Sequence, residues 1–270
     1  MKLLALRFAK RIFGVRVAWV AHNAKPHDMA KTSILAPFFI RTLDGIIYLS
    51  AYSREVITAL YAPGRHTREL ITVHGHYRTA TAAATKPPPL QNSCIQLLYF
   101  GQIRRYKNVD ELIARIAELN DDRLFLTVAG TRKDETFAVQ IEEAASSNPH
   151  IHLDLRQAPI PEPELEAMID ACHAVVLPYR DILNSGAALL ALSRNRPILA
   201  PRRGSLPELQ AKVGEDWVYL YDGDLSAEIL HDFLTWLSLR RAGEVCDLSA
   251  FDWEPIGRSL GNFIGTLHKT

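Results

Sequence analysis

Cysteine is scarce in this chain: Cys94, Cys172 and Cys246 stand far apart among 270 residues, at spacings that fit neither a zinc site nor a disulfide framework. Reduced thiols in a cytoplasmic protein are the expectation. Charge of one sign is lacking too, since 31 Lys and Arg face 30 Asp and Glu for a formal +1, which argues against a nucleic-acid binder. No apolar run approaches the roughly 20 residues that a membrane-spanning helix needs. The start, MKLLALRFAKRIFGVRV, reads poorly as a signal peptide because Arg7, Lys10 and Arg11 interrupt its apolar stretch. No Gly-x-Gly-x-x-Gly follows a strand pattern and no Walker loop is present, which disfavours dinucleotide oxidoreductases and P-loop enzymes. What remains is a chain 48% hydrophobic and 23% charged, the balance of a globular protein with a sizeable core and length for two α/β domains.

The first segment reads as a basic amphipathic helix, with Leu4, Phe8 and Ile12 on one stripe and Lys2, Arg7, Lys10 and Arg11 mostly elsewhere. Such a face either packs on its own sheet or lies on an anionic membrane. After it, RVAWVAHN, DGIIYLS and ELITVHG read as strands, with helical stretches near 34–42 and 53–60 between them. RTATAAATKPPPLQN then breaks the pattern, because three consecutive prolines forbid helix and favour an extended linker. The expected domains are therefore 1–85 and 94–270, joined by a proline-rich linker at 86–93. Beyond the linker the alternation is regular: IQLLYFGQI, RLFLTVAG, HIHLDLR, HAVVLPY, RPILAP and WVYLYDG as strands, with helical patterns between them and one or two more helices after Ser226. Strands alternating with helices imply parallel βαβ units in a doubly wound sheet, so the expected fold is α/β with two Rossmann-like domains.

Ligands of such sheets bind at the carboxyl ends of the strands, which directs attention to the strand-end loops. In FGQIRRYKN, Gly101 would permit a tight turn, while Arg104, Arg105 and Lys107 place cations where a diphosphate could sit. In LPYRDILNSGAALLALS, Asn184, Ser185 and Gly186 open a helix whose free N–H groups favour phosphate, although Ser185 is explained equally well as an ordinary N-cap. Asp222 and Asp224 are an acidic pair at metal-like spacing, and an Asp-Gly turn accounts for them without a cation. No metal site is expected.

The order FGQIRRYKN, LTVAG, VVLPYRDILNSGAALLALS, RPILAP and GSLPEL resembles the carboxyl-terminal domain of bacterial GT-B glycosyltransferases that build exopolysaccharides and glycolipids. WVAHNAKPHD and ITVHGHYR resemble the acceptor-side loops of that family. The resemblance implies a metal-independent transfer of a sugar from a nucleotide diphosphate sugar to a saccharide or lipid-linked saccharide, with no other cofactor. By it, Arg104 and Lys107 correspond to the diphosphate-binding pair, Ser185 and Gly186 to the loop holding donor phosphate or ribose, and Glu208 to the glutamate after the glycine-and-proline turn, with Gly101 and Asn184 joining the donor-binding candidates from their loops. His22 corresponds to a histidine meeting donor sugar or acceptor, with Asp28 the second catalytic candidate and His27, His74 and His76 on the acceptor side. Many retaining members carry two glutamates where this chain has Asp181 or Ile182 and Leu190, a departure that points toward a branch like the GDP-mannose-using glycolipid mannosyltransferases. The donor domain reads as complete and the amino-terminal domain as shortened. Two alternatives accompany this reading: a non-catalytic nucleotide-binding partner subunit, and a sugar-nucleotide epimerase of the same fold. The expected setting is cytoplasmic, with peripheral contact at an anionic inner-membrane surface.

Overall fold

The computed structural model describes residues 2–23, 36–78, 86, 88, 90, 94–240 and 245–268. The chain divides into two compact units, Met1–Gly75 with Phe251–Thr270, and His76–Ala250. The first opens with α1 (Lys2–Phe13), β1 (Ala18–Ala21), α2 (Ala36–Ile40), β2 (Gly45–Tyr48), α3 (Ala51–Tyr61) and β3 (Arg68–Ile71). The second holds β4 (Ile95–Ile103), α4 (Val109–Leu119), β5 (Leu124–Arg132), α5 (Glu135–Ala145), β6 (Ile151–Arg156), α6 (Glu162–Ala171), β7 (Ala174–Val176), α7 (Gly186–Ser193), β8 (Ile198–Pro201), α8 (Leu206–Val213), β9 (Val218–Tyr221) and α9 (Ala227–Leu239). The chain then returns to the first unit as α10 (Trp253–Leu267).

In the first unit β1, β2 and β3 pair in parallel in that order. The central strand, β2, is buried at all four positions, as its run Gly-Ile-Ile-Tyr requires. A capping box starts α3: the Ser53 N–H donates to the Ser50 hydroxyl at 3.0 Å and the Ser50 N–H to the Ser53 hydroxyl at 3.1 Å, so two otherwise orphaned donors are satisfied. Phe263 and Leu267 of α10 pack on Ile47, with Leu70 and Leu260 at the margin. Gly45 makes room for them, since a Cβ there would stand 2.9 Å from the Phe263 ring.

The second unit is one six-stranded parallel sheet in the order β6-β5-β4-β7-β8-β9. Chain order runs outward from β4 to β6, crosses back beside β4 at β7, and runs outward again to β9. The switch between β4 and β7 is where doubly wound sheets open a crevice for ligands. α4 buries Val109, Leu112, Ile113 and Ile116, the one-sided spacing of an amphipathic helix, and each such side chain contributes about 1.5–3 kcal/mol of hydrophobic stabilisation.

Two organisational expectations differ from this arrangement. The units part at Gly75 and His76, ahead of the proline run, because Tyr77 and Arg78 are already fastened to α7: the Tyr77 N–H donates to the Ser193 hydroxyl at 3.0 Å and Arg78 Nε to the Ser193 carbonyl at 3.1 Å. The last helix, assigned by linear order to the second domain, covers the sheet of the first. Its apolar stripe states that it packs on something, and only the tertiary fold states on what.

Candidate donor-binding site

Three loops gather at the switch point of the second unit. The loop after β4 is a short 3-10 turn over Arg105–Lys107, ending at Asn108 with φ +59°, a left-handed residue that Asn tolerates. The loop after β7 meets it, with the Arg180 N–H donating to the Tyr106 carbonyl at 2.9 Å. The loop before α8 joins through Gly204 at φ +61°, where a Cβ would stand 2.3 Å from the Ile182 carbonyl oxygen, and through the Ser205 N–H, 3.2 Å from the Leu183 carbonyl. These contacts need glycine at 204.

Lys107 is the central cation. Its Nζ stands 3.6 Å from the centroid of the Tyr179 ring and 5.3 Å from that of Tyr106, and no carboxylate among the described residues pairs with it. Burial, with the Arg104 charge nearby, brings its pKa down to about 8. Among the described residues this half-buried ammonium meets aromatic faces and no carboxylate. Arg104 caps the 3-10 turn and its Nε donates to Gln102 Oε1 at 2.9 Å. Arg105 turns the other way, toward Asp134 at 3.5 Å and the face of Phe137.

Ser185 is the N-cap of α7, its hydroxyl accepting from the Ala188 N–H at 3.1 Å. Gly186 is the first helical residue and Asn184 precedes the cap, so the second loop holds all three of its expected residues at one helix start. Glu208 sits in the first turn of α8, half-buried. Gly101 departs from its expected role at a loop turn. It lies within β4 at φ +136°, opposite Gly130, where a Cβ would stand 1.8 Å from the Gly101 carbonyl oxygen. Gly130 serves close strand approach ahead of the loop, while Gly101 supplies a positive φ that favours glycine.

The histidines divide between the units. His22, just past β1, and His74, after β3, lie with ring centroids 6.4 Å apart, and His74 lies 5.9 Å from Trp253 at the start of α10. Gly75 admits that indole, since a Cβ there would fall 2.2 Å from Trp253 Cε2. His76 belongs to the second unit, where its Nδ1 accepts from the Arg78 N–H at 3.1 Å. His27 and Asp28 lie outside the described residues. Asp222 and Asp224 face Arg202 at 3.5 Å and Arg203 at 3.6 Å. The aromatic residues Tyr106, Tyr179 and Trp253 escaped the sequence reading because their type signals core or surface equally, and only the fold sets them beside Lys107 and His74.

Comparison with known proteins decides the family. The chain is 37% identical over 248 residues to the GDP-mannose:glycolipid 4-beta-D-mannosyltransferase of Xanthomonas campestris pv. campestris, covering 92% of this chain and 68% of that protein. The same enzyme from a second strain of that pathovar matches to the same extent. The chain belongs to this glycosyltransferase family. It is thus a glycosyltransferase, and the same conclusion disfavours the partner-subunit and epimerase readings. No protein-family model matches it. Solved structures agree on the fold. The sucrose-phosphate synthase of Thermosynechococcus elongatus superposes with TM-score 0.70 at 15% identity, over 99% of this chain and 71% of its own. Anabaena HepE, solved with UDP and glucose, gives 0.72 at 15% over 97% and 75%. A UDP-forming trehalose-phosphate synthase from Burkholderia xenovorans gives 0.72 at 14% over 97% and 71%. At these identities the likeness shows the GT-B fold of the glycosyltransferase and nothing of its substrate.

Proposed function

We propose that the enzyme transfers mannose from GDP-mannose to a glycolipid-borne saccharide without a metal ion. The 37% identity to a mannosyltransferase that uses this donor and a glycolipid carries the reading. The Lys107 charge at the switch point, which no carboxylate among the described residues pairs with, supports it. A leaving diphosphate develops negative charge as the glycosidic bond breaks, and pre-placed cations and helix N–H groups stabilise that charge more in the transition state than in the ground state. In this reading Arg104, Lys107 and the start of α7 hold the diphosphate, and Glu208 contacts the sugar half of the donor. The relative's name specifies a β linkage, which from an α-linked nucleotide sugar requires inversion: the acceptor oxygen bonds to the anomeric carbon as GDP departs, and the hydroxyl proton passes to a base. His22 and Asp28 are the proposed catalytic candidates for that base, His22 beside the His74 ring, with His27 and His76 further acceptor-side candidates.

The partner surface we propose for the acceptor's bilayer is α1, where Phe8 is 62%, Ile12 58% and Phe13 71% exposed. Three apolar side chains left in water on one helix are the signature of an interfacial segment. Lys10 is withdrawn from the headgroup role that the sequence pattern gives it, because its ammonium is bound to Asp44 at 2.7 Å.

The deciding experiment incubates the protein with GDP-mannose or UDP-glucose and a lipid-linked oligosaccharide and follows release of nucleotide diphosphate and the product's anomeric configuration. GDP release with a β-mannosyl product is the expected result. Turnover of UDP-glucose alone would overturn the donor assignment.

A further inference from the structure

Beyond the loops already assigned, one side chain reaches the start of α7 from a different part of the chain. Tyr77 follows His76 at the opening of the second unit, and its main chain is strapped to the far end of that helix. Its N–H donates to the Ser193 hydroxyl at 3.0 Å, and that hydroxyl donates in turn to the Leu189 carbonyl at 2.7 Å. Arg78 locks the register, with Nε 3.1 Å from the Ser193 carbonyl and Nη2 2.6 Å from Asn195 Oδ1. From that anchor the phenol runs back along α7 to its beginning, where a Cβ built on Gly186 would stand 3.0 Å from the Tyr77 hydroxyl oxygen. An O–H group therefore sits beside the first helical turn, whose leading N–H groups have no carbonyl partner within the helix.

Two further observations mark this place as made for an anion. The Tyr179 hydroxyl, 1% exposed, lies beside Ser185 without a well-formed hydrogen bond among the described residues. The Lys107 ammonium above the same Tyr179 ring has no carboxylate partner among the described residues. Tyr77 is itself 40% exposed, so a ligand can reach it, and burial of the remainder raises its pKa, which keeps the hydroxyl protonated as a donor.

We propose that the Tyr77 hydroxyl is a donor-binding group, giving a hydrogen bond to a phosphate oxygen of the nucleoside diphosphate held at the start of α7. The inference rests on the donor site proposed above. It also explains residue 186: a side chain there would press on the hydroxyl, whereas glycine leaves it in place. The bond is charge-assisted, the class that contributes most to anion binding.

Isothermal titration of the full chain with GDP and with guanosine tests the assignment. Tyr77→Phe removes one oxygen and leaves the ring; it is expected to weaken GDP about tenfold and leave guanosine unchanged, since only the diphosphate accepts the bond. Gly186→Ala keeps the oxygen but displaces it, and is expected to weaken GDP in the same selective way. Lys107→Met, run alongside, reports on the site as a whole. If Tyr77→Phe binds GDP like the wild type while Lys107→Met binds it weakly, the role of Tyr77 is overturned and the donor site stands. If Lys107→Met also binds GDP normally, the donor site itself falls. Equal losses of GDP and guanosine on Tyr77→Phe would assign the residue to the fold of the loop and overturn the proposal.

Discussion

Lys107 is the side chain from which a pH response of donor binding is expected. In the free protein its pKa is held at about 8, first by burial and second by the charge of Arg104, so it is cationic below that value and neutral above. A bound diphosphate favours the charged form and raises the pKa, so binding takes up a proton in the alkaline range. Affinity for GDP is thus expected to fall as pH rises above about 8, by up to about tenfold per unit until the bound-state pKa is passed. Titrations from pH 7 to 9.5 check this, and Lys107→Met should flatten the profile as well as lower the affinity. The sign for stability is opposite: the unfolded lysine, with its ordinary pKa near 10.4, binds more protons in this window, so the contribution of Lys107 to stability rises with pH. The loop cations and the helix-start residues were legible as candidates because ligands of doubly wound sheets bind at the carboxyl ends of the strands. The Tyr179 and Tyr106 rings beside Lys107 were not, because a tyrosine's sequence context does not reveal which cation it will face.

At the scale of elements, α1 separates two kinds of contact. Lys10 and Arg16 both bind Asp44, at 2.7 and 3.2 Å, and the Val17 N–H donates to the same carboxylate at 2.8 Å. Burial alone would raise the Asp44 pKa, and these donors together hold it below the ordinary value. Lys10→Ala is therefore expected to lower stability by about 1 kcal/mol, as a partly buried ion pair does, read by urea denaturation with lipid affinity little changed. Phe8→Ser with Phe13→Ser is expected to do the reverse, abolishing co-sedimentation with anionic vesicles while leaving the melting temperature in place, because both rings already face solvent. Retained vesicle binding by the double variant would return α1 to a packing role. The spacing of Phe8 and Ile12 indicated an apolar stripe. The use of Lys10 inside the unit depended on Asp44, far away in the chain.

The whole molecule is built so that its first unit needs residues from both ends of the described chain. Phe263 and Leu267 cover Ile47, and Gly45 is shaped to admit the Phe263 ring. Phe263→Ala is expected to cost about 3–5 kcal/mol, the range for deleting a buried aromatic ring. The measurement is limited proteolysis with mass mapping: cleavage should appear in the first unit well before the second, whose six-stranded sheet keeps its own core. Uniform cleavage of both would refute this division of stability. What the sequence determined by itself is the alternation of strands and helices, the parallel α/β class and the position of the two candidate loops after β4 and β7, because hydrophobic period, caps and loop charge are local properties. Tertiary structure alone decided that α10 closes the first unit, that the units part before the prolines, that Gly101 lies inside β4 against Gly130, and that Tyr77 reaches Gly186. Each of these depends on packing between residues distant in the chain, where an apolar or aromatic side chain announces that it will be covered but carries no label for its partner.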